Sequence, residues 1–78
     1  MAEMKFIGTD SWDRPVYEDP EGNLWKDVDP RRGSAASLHS ALNNEFDGEP
    51  DCPYHGDIIF NPGRVVWSSG KRYRYELE

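Results

Sequence analysis

Seventy-eight residues hold one small domain spanning 1–78 and exclude two, because a chain of this size buries only about 60 to 65% of the surface it exposes when unfolded. Fifteen acidic against nine basic residues give a net charge of -6, with eight carboxylates and three bases in residues 1–29, four and two in 30–56, and three and four in 57–78. The first two thirds therefore repel nucleic acid, whose binding needs cations to displace the counterions of its phosphates, and suit a basic partner protein or plain solubility.

In chain order, Lys5 to Gly8 (KFIG) reads as a short strand and Arg14 to Glu18 (RPVYE) as a second, with Pro15 near its start where a missing N–H is tolerated. Pro20 to Asn23 (PEGN) is a reversal before Leu24 to Val28 (LWKDV), so residues 14–28 form a hairpin. Asp29 to Ser34 (DPRRGS) breaks the pattern, and Ser34 is placed to cap a short helix through Ala35, Ala36, Leu38, Ala41 and Leu42. Asn43 to Gly56, with two glycines and two prolines, reads as an irregular loop.

The last segments, Asp57 to Phe60 (DIIF), Arg64 to Trp67 (RVVW) and Arg72 to Leu77 (RYRYEL), are β-branched and aromatic and are punctuated by NPG and SSGK. They predict a three-stranded meander, with Tyr73, Tyr75 and Leu77 on one face of its last strand and Arg72, Arg74 and Glu76 on the other. The expected fold is α+β but mainly β: a small twisted antiparallel sheet or open barrel of about five short strands with one short helix.

Chemical motifs are sparse. Glu45, Asp47, Glu49 and Asp51 put a carboxylate at every second position, which as a strand would make a line of charge about 20 Å long able to imitate phosphates. Gly48 and Pro50 oppose a regular strand there, and a solvated loop anchored by Phe46 is the plainer reading. The same residues with Cys52 and His55 are a thin metal set: the order of a calcium loop is missing, and Cys52-Pro-Tyr-His55 is half a zinc motif.

Catalysis by Cys52 with His39 or His55 would need the thiol and an imidazole to meet, and nothing in the sequence brings them together. No catalytic residue, metal or cofactor is therefore expected. Trp12, Tyr54 and Phe46 are the candidate exposed anchors of a docking surface. Lys71, Arg72, Tyr73, Arg74 and Tyr75 are the alternative, a single-strand nucleic-acid platform of stacked aromatics and cations, although strand alternation parts its rings from its charges. One cysteine, no basic-apolar leader and no apolar run of spanning length make a reducing cytoplasm the expected compartment and a membrane an unexpected partner.

The runs GTDSWDRPVYEDPEGNLWKDV and SLHSALNNEFDGEPDCP carry a further signal. They resemble the small domains associated with large polyvalent proteins of bacterial conjugative elements and phages. The likeness rests on a Gly-x-Asp-x-Trp-x-Arg-Pro opening, a Gly-x-Leu-Trp-Lys-Asp hairpin, a Ser-Leu-His step and an Asn-x-Phe-Asp-Gly-Glu-Pro-Asp box, across about Ile7 to Pro53. Asp29 to Ala36 and the C-terminal meander fall outside that pattern.

The resemblance implies an accessory function in a mobile genetic element, without catalytic residues to transfer, and a defined structure for Phe46 to Asp51. The expected function is a non-enzymatic interaction domain whose acidic residues Glu45, Phe46, Asp47, Glu49 and Asp51, with Trp12 and Tyr54, dock on a basic host or element-encoded protein. Inhibition of a host defence nuclease by nucleic-acid mimicry, and single-strand binding by the Arg/Tyr strand, are the alternatives.

Overall fold

In the computed structural model, residues 2–68 and 71–78 are described, with residues 71–74 described by their backbone alone. Eight strands follow in chain order: β1 (Ala2–Thr9), β2 (Pro15–Glu18), β3 (Leu24–Asp27), β4 (Leu38–Ala41), β5 (Pro50–Pro53), β6 (Ile58–Asn61), β7 (Val65–Ser68) and β8 (Lys71–Leu77). The first six form one open sheet in the order β5-β4-β3-β2-β1-β6, and β7 and β8 form a separate hairpin. Every pairing is antiparallel except β1 with β6, which is parallel.

The β2–β3 hairpin is the one the sequence predicts, and Asp19 shows why it closes there. Its carboxylate accepts the N–H groups of Glu21 and Asn23, both at 2.9 Å, and the indole N–H of Trp25 at 3.0 Å. A short polar side chain that satisfies turn amides in this way favours a reversal over a continued strand. Burial pushes the Asp19 carboxyl up, but these hydrogen bonds outweigh it and hold it below the ordinary carboxylate value.

Three expected elements are replaced, one of them the irregular loop over Asn43 to Gly56, inside which Pro50–Pro53 forms strand β5 on the edge that β4 offers. The helix from Ala35 to Leu42 does not form: Leu38–Ala41 is strand β4, paired with β3 so that Leu38 lies opposite Asp27, and among the described residues the only helical turn is a 3-10 turn at Leu42–Asn44. Two turns of helix are too few to be stable alone, whereas the open edge of β3 supplies hydrogen bonds and a place for Leu38 in the core. The C-terminal meander is likewise split, because β6 leaves β7 and joins β1, with Met4 opposite Phe60. The pairing brings Ile58 and Phe60 onto the Met4–Tyr17–Leu38 core.

That core is aromatic. Tyr17 is fully buried, with Phe60 at 4.9 Å and Phe6 at 5.8 Å between ring centroids. Burial pushes the Tyr17 phenol up to about 12, so it stays neutral, and its oxygen accepts the Val65 N–H at 2.9 Å. This bond fixes the β7–β8 hairpin to the sheet, together with the Trp67 N–H donated to the Pro30 carbonyl at 2.8 Å.

Arg64 completes the attachment, with its guanidinium donating to the backbone carbonyls of Ser34 and Asp29. Its Nε lies 3.5 Å from the buried Asp27 carboxylate, without a hydrogen bond between them. Among the described residues, no helix is long and apolar enough to cross a membrane.

Candidate functional site

The residues around the acidic box are organised from beneath by Asp10 and Lys26. Asp10 follows β1 directly, and its side chain has no solvent exposure. Its carboxylate accepts the N–H of Trp12 and of Arg14, each at 2.9 Å, and the Arg14 Nε–H at 3.0 Å. These bonds satisfy two amides of the turn between β1 and β2.

Lys26 reaches the same carboxylate from β3. Its ammonium, also without exposure, donates to Asp10 Oδ2 at 2.6 Å and to the Phe46 carbonyl at 2.5 Å. Burial alone pushes the Asp10 carboxyl up; the hydrogen bonds from Lys26, Arg14 and Trp12 outweigh it and hold the group below its ordinary value. Asp10 is thus an anion at neutral pH, and the pair is ionic.

The loop after β4 settles onto this pair. Ser11 N–H donates to Asp47 Oδ1 at 2.9 Å, and Leu42 N–H donates to the Glu49 carbonyl at 2.8 Å. Gly48 turns back on the loop with its N–H to the Glu45 carbonyl, and a Cβ placed there would stand 2.4 Å from the Leu42 carbonyl oxygen. No side chain fits at that position.

Asn44 adopts a positive φ of 54° and clamps the β2–β3 hairpin, accepting the Leu24 N–H at 2.7 Å and donating to the Gly22 carbonyl at 3.0 Å. The Phe46 ring lies over Gly8, where a Cβ would meet it at 3.2 Å. Gly8, Asp10, Arg14, Lys26, Asn44, Phe46, Asp47 and Gly48, scattered over forty residues of sequence, therefore converge on one node.

The expected anchors fare differently. Asp47 is committed internally to Ser11, whereas the carboxylates of Glu45, Glu49 and Asp51 make no hydrogen bond or ion pair with the described residues. The turn through Phe46 and Asp47 interrupts the alternating row, of which Asp51 alone lies in a strand, Pro50–Pro53. Trp12 is 64% exposed and Phe46 37%, while Tyr54 is half-buried with its ring packed edge-on against Trp25 at 5.0 Å.

Trp12, Arg14, Glu49 and Pro50 line a shallow groove of about 270 Å³. Known proteins add nothing to this picture. No protein-family model, curated protein or solved structure matches the chain.

Among the described residues, no three His, Cys, Asp or Glu side chains gather as a metal-ligand set. Cys52 is exposed on β5, and its N–H donates to the Ser40 hydroxyl. The side chains of Lys71, Arg72, Tyr73 and Arg74 lie outside the described residues. Tyr75 is half-buried, with its hydroxyl accepting the Trp67 indole N–H at 3.3 Å.

Sequence reasoning missed Asp10 and Lys26, the two residues that hold the site together. Both look like ordinary surface charges in a chain that is 31% charged. The available signal was their place within the Gly-x-Asp-x-Trp-x-Arg-Pro and Leu-Trp-Lys-Asp runs.

Proposed function

We propose that the chain is a non-enzymatic interaction domain of a mobile genetic element that docks on a basic partner protein. Its contact face consists of Trp12, the exposed edge of Phe46, and the carboxylates of Glu45, Glu49 and Asp51. The observation that carries this reading is the exposure of Trp12 on a turn held by a buried ion pair, in a groove it shares with Glu49, whose carboxylate has no internal partner among the described residues. A large ring presented by a rigid turn loses little entropy on binding. A Lys or Arg stem from the partner packs on such a ring, and unpaired carboxylates around it draw that partner in. What supports the mobile-element context is the resemblance of the Asp10, Lys26 and Phe46 runs to the domains of polyvalent element proteins.

The test is a pull-down from bacterial lysate at low and high salt, comparing the wild type with two folded variants, Trp12→Ala and the triple Glu45→Gln, Glu49→Gln, Asp51→Asn. The expected result is a basic protein held by the wild type at low salt, released at high salt, and lost from both variants. Equal retention by all three proteins overturns the reading. Competition with DNA for the retained protein would assign the face to nuclease inhibition instead.

A further inference from the structure

The two edges of the six-stranded sheet are unequally protected. At one edge, β5 carries prolines at both ends and the charged Asp51 between them, devices that keep an edge from pairing with another chain. At the other, β6 reads Ile-Ile-Phe-Asn, with no proline or charged residue, and Ile59 is 53% exposed. Among the described residues its only strand partner is β1.

The backbone fixes which groups are free. The Asp57 carbonyl accepts the Ala2 N–H at 3.0 Å, so the peptide groups of Asp57, Ile59 and Asn61 face β1 and those of Ile58 and Phe60 face outward. Four strong hydrogen-bonding groups, two N–H and two C=O, therefore line an open edge beside apolar side chains.

We propose that β6 pairs antiparallel with β6 of a second copy, joining two sheets into one across a two-fold axis at Ile59. In this register Ile58 of each copy lies opposite Phe60 of the other. The peptide groups of both residues face outward, so each pair exchanges two hydrogen bonds and all four free groups are satisfied. Ile59 meets Ile59 as the intervening non-hydrogen-bonded pair, and Asp57 meets Asn61, so no like charges oppose. Ile58 and Phe60 also extend the Met4–Tyr17 core of each copy toward the other. Shifting the pairing by two residues toward Pro62 sets Ile58 against that proline, which has no N–H to give, so the register centred on Ile59 keeps more bonds than that one. This contact uses the sheet edge and is independent of the Trp12 face.

The experiment measures mass by sedimentation from micromolar to millimolar protein, for the wild type and Ile59→Lys. The expected result is a wild-type particle of twice the 9.0 kDa chain mass and a folded Ile59→Lys protein at one chain mass. Amide exchange at Ile58 and Phe60 should be slow in the dimer and fast in the variant. In a Cys52→Ser background, Ile59→Cys should form an interchain disulfide on mild oxidation, since paired residues of this type have Cα atoms about 4.5 Å apart. A wild type that stays at one chain mass throughout, or a dimer unchanged by Ile59→Lys, overturns the proposal.

Discussion

The Lys26 ammonium lies 2.6 Å from the Asp10 carboxylate, with neither side chain reaching solvent, and the ammonium also holds the Phe46 carbonyl. One cation thereby joins the end of β1, the middle of β3 and the acidic loop. Replacing Lys26 with Met leaves a buried anion without its counter-charge and should cost about 3 to 5 kcal/mol. Urea unfolding followed by tryptophan fluorescence measures it. The double variant Asp10→Asn, Lys26→Met should recover part of that loss, because the uncompensated charge is gone.

Gly48→Ala should destabilise the chain by about 1 to 3 kcal/mol or more, the cost of forcing atoms into an occupied space. Its Cβ would collide with backbone, the Leu42 carbonyl, which cannot rotate aside. Proton exchange separates this from a global effect: the Leu42 and Gly48 amides, which close the loop, should lose protection before those of β1 and β2.

Tyr17→Phe keeps the ring in the core but leaves the Val65 N–H unsatisfied, at an expected cost of about 1 to 3 kcal/mol. Since this bond ties the β7–β8 hairpin to the sheet, the amide of Val65 should show the largest change in exchange.

Trp12→Ala should leave stability within about 0.5 kcal/mol, as exposed substitutions do, since the Asp10 bonds to this turn are made to its backbone N–H and not its ring. Partner affinity should fall by about 2 kcal/mol or more if Trp12 is the anchor. Titration calorimetry against the captured partner measures that loss.

Acid should act through Asp10 and Asp27 in opposite directions. Asp10 is held below its unfolded value of 3.8, so its contribution is present above that pH and is lost as pH falls further. Asp27 is pushed up by burial, incompletely offset by the N–H groups of Asp29 and Ser37 and by Arg64. The native state therefore holds its proton more tightly than the unfolded chain. Stability falls as pH rises from 3.8 through the folded Asp27 value and is level above it with respect to this group. Urea midpoints from about pH 3 to 7 should show both limbs, and Asp27→Asn should flatten the upper one alone.

The predominance of β structure and the β2–β3 hairpin were legible locally, because Asp19, Gly22 and Asn23 act within a few residues of one another and Val16, Tyr17, Leu24 and Trp25 suit paired strands. The acidic segment was legible as a loop only as far as Glu49, where Gly48 is a local breaker; Pro50–Pro53, expected in the same loop, is strand β5, because β4 offers it an edge that local sequence does not show. The fate of Leu38 to Ala41 was not legible: a capped helix and an edge-seeking strand share the same local pattern, and the free edge of β3 exists only after the hairpin folds. The partner of β6 was undecided in the same way, since NPG marks a turn without saying where the strand before it pairs.

Local sequence determined a small, acidic, mainly β fold, because charge balance, turn chemistry and β propensity are properties of short stretches. Tertiary structure decided that Asp10 and Lys26 are buried while Trp12 is exposed, and that Asp47 is spent on Ser11 while Glu49 is left to solvent. Burial and pairing depend on which distant strands meet, and a side chain's charge does not record whether its partner will be water or another residue.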